Sequence, residues 1–338
     1  MEDSTMSHQG NMQAVVVENV DGPFVVKDIP RPVAGPGQVL VEIHASGVNP
    51  LDLKIHAGKA AHARQPLPAV LGIDLAGVVI AIGAGVTEWS IGDEVFGMTG
   101  GVGGVQGSLA QYAAVDASLL ARKPPQLSMR EAASLPLAFI TAWEGLVDRA
   151  HVSRDMRVLV HGGAGGIGYM AIQIARAFGA QVFSTVSASD AEHVLERGTV
   201  PIDRHLLSVN DYLQMHTSGD GFDVVFDTVG GEVLDGSFKS VARFGHVVSA
   251  LGWGTHSLAP LSFSAGTYSG VFTLLPLLTG VGKAHHGEIL REAAKLVENG
   301  HLLARVDPDH FDLSSVEQAH ARVASSQGAG KVVVELRR

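Results

Sequence analysis

The sequence predicts an α/β protein, with a β-rich portion first, then a doubly wound parallel sheet, then a short return to the first portion. Three observations carry this. Short strand-like segments broken by glycine and proline fill residues 12–132. Strand and helix patterns alternate from residue 135 to 253, which implies parallel strands joined by right-handed crossovers. At 338 residues the chain exceeds what one core usually serves, so two domains are expected.

Composition narrows the function classes. Hydrophobic residues at 46% and charged residues at 17% describe a folded chain with a large core. The net charge of −10 argues against a nucleic-acid or anionic-membrane partner. Residues 69–86 are apolar but carry Asp74 and several glycines, and residues 271–281 are short and hold Pro276, so neither reads as a membrane span. With no cysteine, disulfides, thiolate metal sites and cysteine nucleophiles are all impossible. The opening MEDSTMSHQGN is polar and lacks an apolar signal region. A frayed, disordered segment over residues 1–11 and a cytoplasmic location are expected.

Taken in order, residues 13–17 and 24–28 read as a strand pair around a turn, and 38–45 as a strongly alternating strand. Residues 45–58 read as a polar loop with Pro50 near a helix start. LGIDLAGVVIAIGAGV is a glycine-punctuated strand, residues 95–107 a mobile loop of small residues, and 108–115 a further strand. Residues 138–149 are helical, as are 188–197 and 233–241; residues 222–229 and 246–251 are strands between and after them. An amphipathic helix over 288–298 stops at Gly300, and KVVVEL ends the chain as a strand. His285 and His286 read as a solvated helix edge.

The most informative stretch begins at residue 157. Val158, Leu159 and Val160 form a buried parallel strand, and Ile167, Met170, Ala171, Ile174 and Ala175 recur at helical spacing. Between them stands Gly163-x-Gly165-x-x-Gly168, where a dinucleotide fingerprint belongs, with His161 ending the strand. One glycine permits the tight turn, one lets the backbone approach a pyrophosphate, and one lets helix and strand pack closely. Gly163, Ala164, Gly165, Gly166, Ile167 and Gly168 are therefore the expected cofactor cradle, the helix N-terminus offering free N–H groups to the phosphates. An NAD site normally shows an acid at the end of the second strand. Here Ser187 and Ser189 stand near it instead, which leans to NADP(H), although Asp190 is adjacent and no basic residue follows at once. The two serines read either as ribose or phosphate ligands or as simple turn formers.

This order of segments resembles the medium-chain dehydrogenase/reductase superfamily, and within it the zinc-independent quinone oxidoreductase (zeta-crystallin-like) branch. The segments that carry the likeness are ASGVNPLDLKIHAG, GIDLAGVVIAIGAGVTEWSIGDEVFG, AASLPLAFITAW, VLVHGGAGGIGYMAIQIARAFGA, FDVVFDTVGG and GKVVVEL. The resemblance implies a GroES-like catalytic domain over residues 12–132 and 282–338, and a Rossmann cofactor domain over 133–281. Where zinc-dependent relatives have a cysteine ligand this chain has Asn49, and their Gly-His-Glu becomes Gly72-Ile73-Asp74. The four-cysteine structural lobe is missing as well. Too few ligands remain for zinc, and no metal is expected.

The resemblance further implies that the Asn49 amide donates to a substrate oxygen and that Asp52 braces its loop. A tyrosine common in the branch is replaced by Lys54, which reads either as an electrostatic clamp or as a solvated loop residue. Asn49 has a competing reading as a turn residue before Pro50. Thr141 matches a position beside the nicotinamide, or is a helix threonine bonding its own backbone. Gly252 lies at the carboxyl end of a strand, where cofactors bind in such folds. Lys331 either contributes to the cofactor site or lies on the surface. The expected activity is NADPH-dependent reduction of quinones or α,β-unsaturated carbonyls. A carbonyl or alcohol oxidoreductase of the same fold, or a cofactor-binding protein without turnover, are the alternatives. A homodimer through the edge strand near residues 268–275 is expected from the family.

Overall fold

The computed structural model describes residues 10–326 and 328–337. Most of the segment expected to be disordered therefore lies outside the described residues, and at its end Asn11 already belongs to the first strand. The described residues form two compact units. The first runs to Leu137 and includes Leu274–Ala294 and the residues from Ala304 onward; the second is Ala138–Thr273 with Lys295–Leu303. Residues 133–137 and 274–281 thus group with the first unit rather than with the expected 133–281 domain, and 295–303 group with the second.

The first unit opens with β1 (Asn11–Val17), β2 (Phe24–Pro30) and β3 (Gln38–Gly47), followed by α1 (Pro50–His56). Next come β4 (Ala69–Val70), β5 (Asp74–Ile82), β6 (Glu94–Met98), β7 (Tyr112–Asp116), β8 (Leu120–Arg122) and α2 (Met129–Ala133). One sheet is β2-β1-β4. In the other, β3 pairs antiparallel with β5 and β7, β5 with β6, and β6 with β8. The alternation of β3 turns Val39, Val41 and Ile43 inward against Leu75, Val79, Val95 and Val115, which is the unit's core.

Both ends of the small-residue segment expected to be mobile are packed, and only its tip, Gly103, Gly104 and Val105, is exposed. The first part is β6, and Gly100, Gly101, Val102, Gly107 and Ser108 are buried. A Cβ at Gly100 would lie 2.1 Å from the Gln106 carbonyl oxygen, and one at Gly107 would lie 2.3 Å from that of Leu71. At Gly100 and Gly107 the small residue serves close backbone packing.

In the second unit α3 (Pro136–Trp143), which begins at the unit's edge, leads into a π-helical turn over Glu144–Arg149 where Gly145 packs on the Phe226 ring. Then follow β9 (Arg157–His161), α4 (Gly166–Ala177), β10 (Gln181–Val186), α5 (Ala191–Leu195), β11 (Val200–Asp203) and α6 (Val209–Thr217). The series closes with β12 (Phe222–Asp227), α7 (Glu232–Ser240), β13 (Val241–Ser249), α8 (Ala259–Phe263) and β14 (Thr267–Gly270). All six strands are parallel, in the order β11-β10-β9-β12-β13-β14. Chain direction across the sheet reverses between β9 and β12, the point at which doubly wound sheets bind ligands. Strand β11 and helix α6 carry weak patterns and are found only here.

The chain continues with α9 (Leu275–Thr279), α10 (Lys283–Glu298), β15 (Phe311–Asp312), α11 (Val316–Ala324) and β16 (Val333–Glu335). Strand β16 pairs antiparallel with β3 and returns the chain to the larger sheet of the first unit. On α10 the expected solvated histidine pair splits: His285 is exposed while His286 is fully buried, because adjacent helix positions face different sides.

Candidate active site

In the second unit the geometry of the glycine turn can be tested residue by residue. His161 ends β9 and is buried, and burial holds its imidazole neutral, with a pKa lowered to about 4 against the opposing pull of Asp227. Gly162 takes φ +77°, so the tight turn is made one residue before the expected motif. Gly163 donates its N–H to Ser184 Oγ at 3.0 Å, and a Cβ there would lie 2.0 Å from that oxygen. At Gly168 a Cβ would lie 2.1 Å from the Gly162 carbonyl oxygen, which makes this the glycine of close helix–strand packing. Gly165 caps α4 and Gly166 opens it. Both are exposed, and a Cβ at Gly166 would meet nothing within 4 Å. The first N–H groups of α4, from Gly166, Ile167 and Gly168, have no partner within the helix by construction. With Ala164 half-buried beside them, they form a cradle of bare main chain at the positive end of a 12-residue helix.

Beyond β10, Ser187 Oγ donates to Asp190 Oδ2 at 2.6 Å and lies 3.0 Å from Ser189 Oγ, so the two hydroxyls form a local turn with the acid. A basic residue that the local sequence does not reveal stands beside them. The Arg204 N–H donates to the Val186 carbonyl at 3.0 Å, which brings this exposed arginine from the end of β11 to the end of β10. Gly252 follows β13 and is exposed; a Cβ there would lie 2.1 Å from the Tyr268 hydroxyl. Thr141 is buried in α3.

The first unit holds a separate polar cluster. Asn49 is the N-cap residue of α1 and forms a capping box with Asp52. Its Nδ2 donates to Asp74 Oδ2 at 2.9 Å, and its Oδ1 accepts from Lys331 Nζ. Asp52, in the first turn of α1, accepts the Asn49 N–H at 2.8 Å, and Asp74 Oδ1 accepts the Leu137 N–H at 2.9 Å. Asn49, Asp52 and Asp74 are buried and Lys331 is half-buried. Burial pushes Asp52 up to about 7, opposed by the Asn49 and Gly72 N–H groups and reinforced by the nearby Asp74. The same desolvation lifts Asp74 to about 6, with Lys331 pulling it back. Burial lowers the Lys331 pKa in turn, and both carboxylates oppose this. The two acids and the lysine thus hold one another in a buried set, with Asp52 titrating close to neutral pH.

Within the first unit the structure thus brings together Asn49, Asp52 and Lys331. It leaves Lys54 exposed on α1, apart from them. Sequence reasoning missed Asp74 as a partner. The available signal was an acid within the apolar run LGIDLAGVV, since a buried charge demands a partner.

A GroES-like antiparallel unit and a Rossmann sheet on one chain define the class, a medium-chain dehydrogenase/reductase. Comparison with known proteins agrees. Residues 35–125 match the alcohol dehydrogenase GroES-like domain, and 191–334 match the zinc-binding dehydrogenase family. An NADPH-dependent alkenal/one oxidoreductase of Arabidopsis thaliana is 34% identical over 334 residues, 96% of this chain and 79% of that protein. A 2-methylene-furan-3-one reductase of Solanum lycopersicum is 36% identical over 306 residues, 88% of this chain and 71% of that one. A solved alcohol dehydrogenase superfamily protein from Novosphingobium aromaticivorans has a TM-score of 0.95 at 57% identity, covering 96% of this chain and all of its own. Polyketide synthases also match, and of these the chain spans a small part, 13% of a Streptomyces orinoci spectinabilin polyketide synthase system protein. The chain belongs to the zinc-independent quinone oxidoreductase branch of the superfamily.

The residues present do not suit the zinc of the wider family. Ile73 is an apolar side chain, and the Asn49 oxygen is taken by the Lys331 ammonium, whose charge opposes a cation beside it. Among the described residues no group of three or more His, Cys, Asp or Glu side chains could hold a metal ion. The glycine cradle, by contrast, fits a diphosphate, because two of its glycines stand where a Cβ would collide and its helix N-terminus faces outward.

Proposed function

We propose that the protein is an NADPH-dependent, zinc-independent reductase of quinones or α,β-unsaturated carbonyls. The observation that carries the reading is the cradle before α4, where the Gly163 and Gly168 approaches leave main-chain N–H groups open to a diphosphate. The names of the similar oxidoreductases support the substrate class. The nicotinamide, when bound, supplies hydride. Gly166, Ile167 and Gly168 offer their N–H groups to the diphosphate, and Gly163, Ala164 and Gly165 shape the turn. Ser187, Ser189 and Arg204 face the adenosine ribose and its 2′-phosphate, with Thr141 and Gly252 completing the cofactor site. Asn49 donates its remaining amide hydrogen to the substrate oxygen as negative charge develops there. Lys331, Asp74 and Asp52 are positioning residues that fix the amide's orientation; the exposed Lys54 is left with the solvated reading.

Stopped-flow oxidation of NADPH with quinones, enones and saturated aldehydes in parallel tests this. Quinones or enones are expected to be reduced fastest; binding of neither reduced nicotinamide at about millimolar concentration would remove the basis of the reading. We also propose a homodimer, supported by the unpaired edge of β14 and by exposed Phe263, Phe244 and Trp253. A monomeric mass by light scattering rejects it. Among the described residues no helix is long and apolar enough to cross a membrane. A cytoplasmic setting belongs to the same proposal, supported by a chain with no cysteine and no need of an oxidising compartment. The charge of −10 supports the absence of a nucleic-acid partner.

A further inference from the structure

Between Asp52 and Asp74 the chain carries Lys54, Lys59 and Arg64 with His56 and His62, and no acid at all. In a protein of net charge −10 this is an uncompensated basic stretch. It borders a cavity of about 630 Å³ in the first unit, a size that suits a small-molecule ligand. Val20, Ile55, Ala60 and Leu67 give the cavity apolar walls, and Arg64 and Glu18 are its charged lining. Glu18 is engaged by the Lys27 ammonium. The Arg64 side chain, exposed, makes no hydrogen bond or ion pair among the described residues. Its backbone is left-handed, φ 50° and ψ 36°, a conformation that residues other than glycine rarely hold and that clusters at ligand sites. The neighbouring Gln65 is fixed, its Oε1 accepting the Gly104 N–H at 2.9 Å.

Apolar walls with one unpaired cation suit an amphiphilic anion. Helix α1 connects this cavity to the polar cluster. Asn49 precedes its first residue and Ile55 lines the cavity near its last, about 10 Å further along the axis at the usual helical rise. We propose that the cavity is a subsite for the anionic end of an elongated substrate, an enone on an aliphatic stem that bears a carboxylate or a phosphate paired with Arg64. The proposal names the substrate class of the reductase reading above and rests on it. Binding energy gained at this remote end would hold the reacting end in place.

The test uses three enones of equal length, ending in a carboxylate, a phosphate or a neutral methyl ester, together with their saturated, unreactive analogues. Wild-type protein is expected to bind an anionic analogue about fivefold more tightly than the ester, the scale of one exposed ion pair, and to show the same ratio in KM. Whether the carboxylate or the phosphate gains more identifies the anion. Arg64→Gly, which keeps the left-handed backbone open, is expected to reduce the ratio to near one, and Arg64→Lys to retain part of it. Added salt is expected to shrink the wild-type ratio. Equal binding of both anions and the ester by wild type overturns the subsite, as does an unchanged ratio in Arg64→Gly. If no enone oxidises NADPH, the reductase reading fails on its own, while calorimetric binding of the saturated analogues still decides the subsite.

Discussion

Replacing Gly168 by alanine isolates the contact that shapes the proposed cofactor cradle. The new Cβ would lie 2.1 Å from the Gly162 carbonyl oxygen, 2.7 Å from its carbonyl carbon and 2.8 Å from Gly163 Cα. All three are main-chain atoms of the turn, so no side chain can swing aside. Restoring an ordinary carbon–oxygen contact moves the start of α4 about 1 Å away from the turn, on the scale of close-packed interiors. Main-chain N–H groups that meet phosphate oxygens at about 2.9 Å then fall outside hydrogen-bond range. Losing one or two charge-assisted bonds of about 1.5–3 kcal/mol each weakens NADPH binding roughly 100-fold. The overpacking itself costs about 1–3 kcal/mol of stability. Gly166→Ala is the matched control for stability, since its Cβ meets nothing within 4 Å and alanine favours a helix. Fluorescence titration with NADPH and urea unfolding without cofactor measure both quantities. Near-normal NADPH affinity in Gly168→Ala, or a greater loss of stability in Gly166→Ala, would refute the reasoning.

Three other outcomes are expected. Asp52 sits at about 7 in the folded protein and Asp74 at about 6, both above the ordinary 3.8, so the folded state binds more protons than the unfolded one across that interval. Their contribution to stability is present at acid pH and lost as pH rises toward about 7. Asp52→Asn should therefore flatten the fall by up to roughly 3 kcal/mol between about pH 5 and about pH 8, read as urea midpoints; an unchanged slope speaks against it. Lys331→Met strands two buried carboxylates and should cost about 3–5 kcal/mol near neutral pH and less in acid, with a fall in kcat; wild-type stability at both pH values would contradict the cluster. Arg204→Ala should raise KM for NADPH about tenfold and leave that for NADH nearly unchanged, and an equal rise for both cofactors would show that Arg204 does not read the 2′-phosphate.

What the amino-acid order determines here is local. Apolar Val158–Leu159–Val160, the glycines from Gly162 to Gly168 and the helical spacing of Ile167 to Ala175 lie within a few turns of chain, so strand, turn and helix follow from short-range sterics and periodicity. The likeness to the oxidoreductase branch likewise rests on contiguous segments. Tertiary structure alone decided which distant groups meet. Lys331 and Asn49, 282 residues apart, are joined only when β16 returns to β3, and Asp74 is their neighbour only through the register of β5 against β3. Arg204 reaches the end of β10 only because β11 lies beside it in the sheet. The same holds for the buried ends of the 95–107 segment and for buried His286, whose residue types suggest exposure or motion. Burial and partner choice depend on long-range packing, and no window of sequence contains that information.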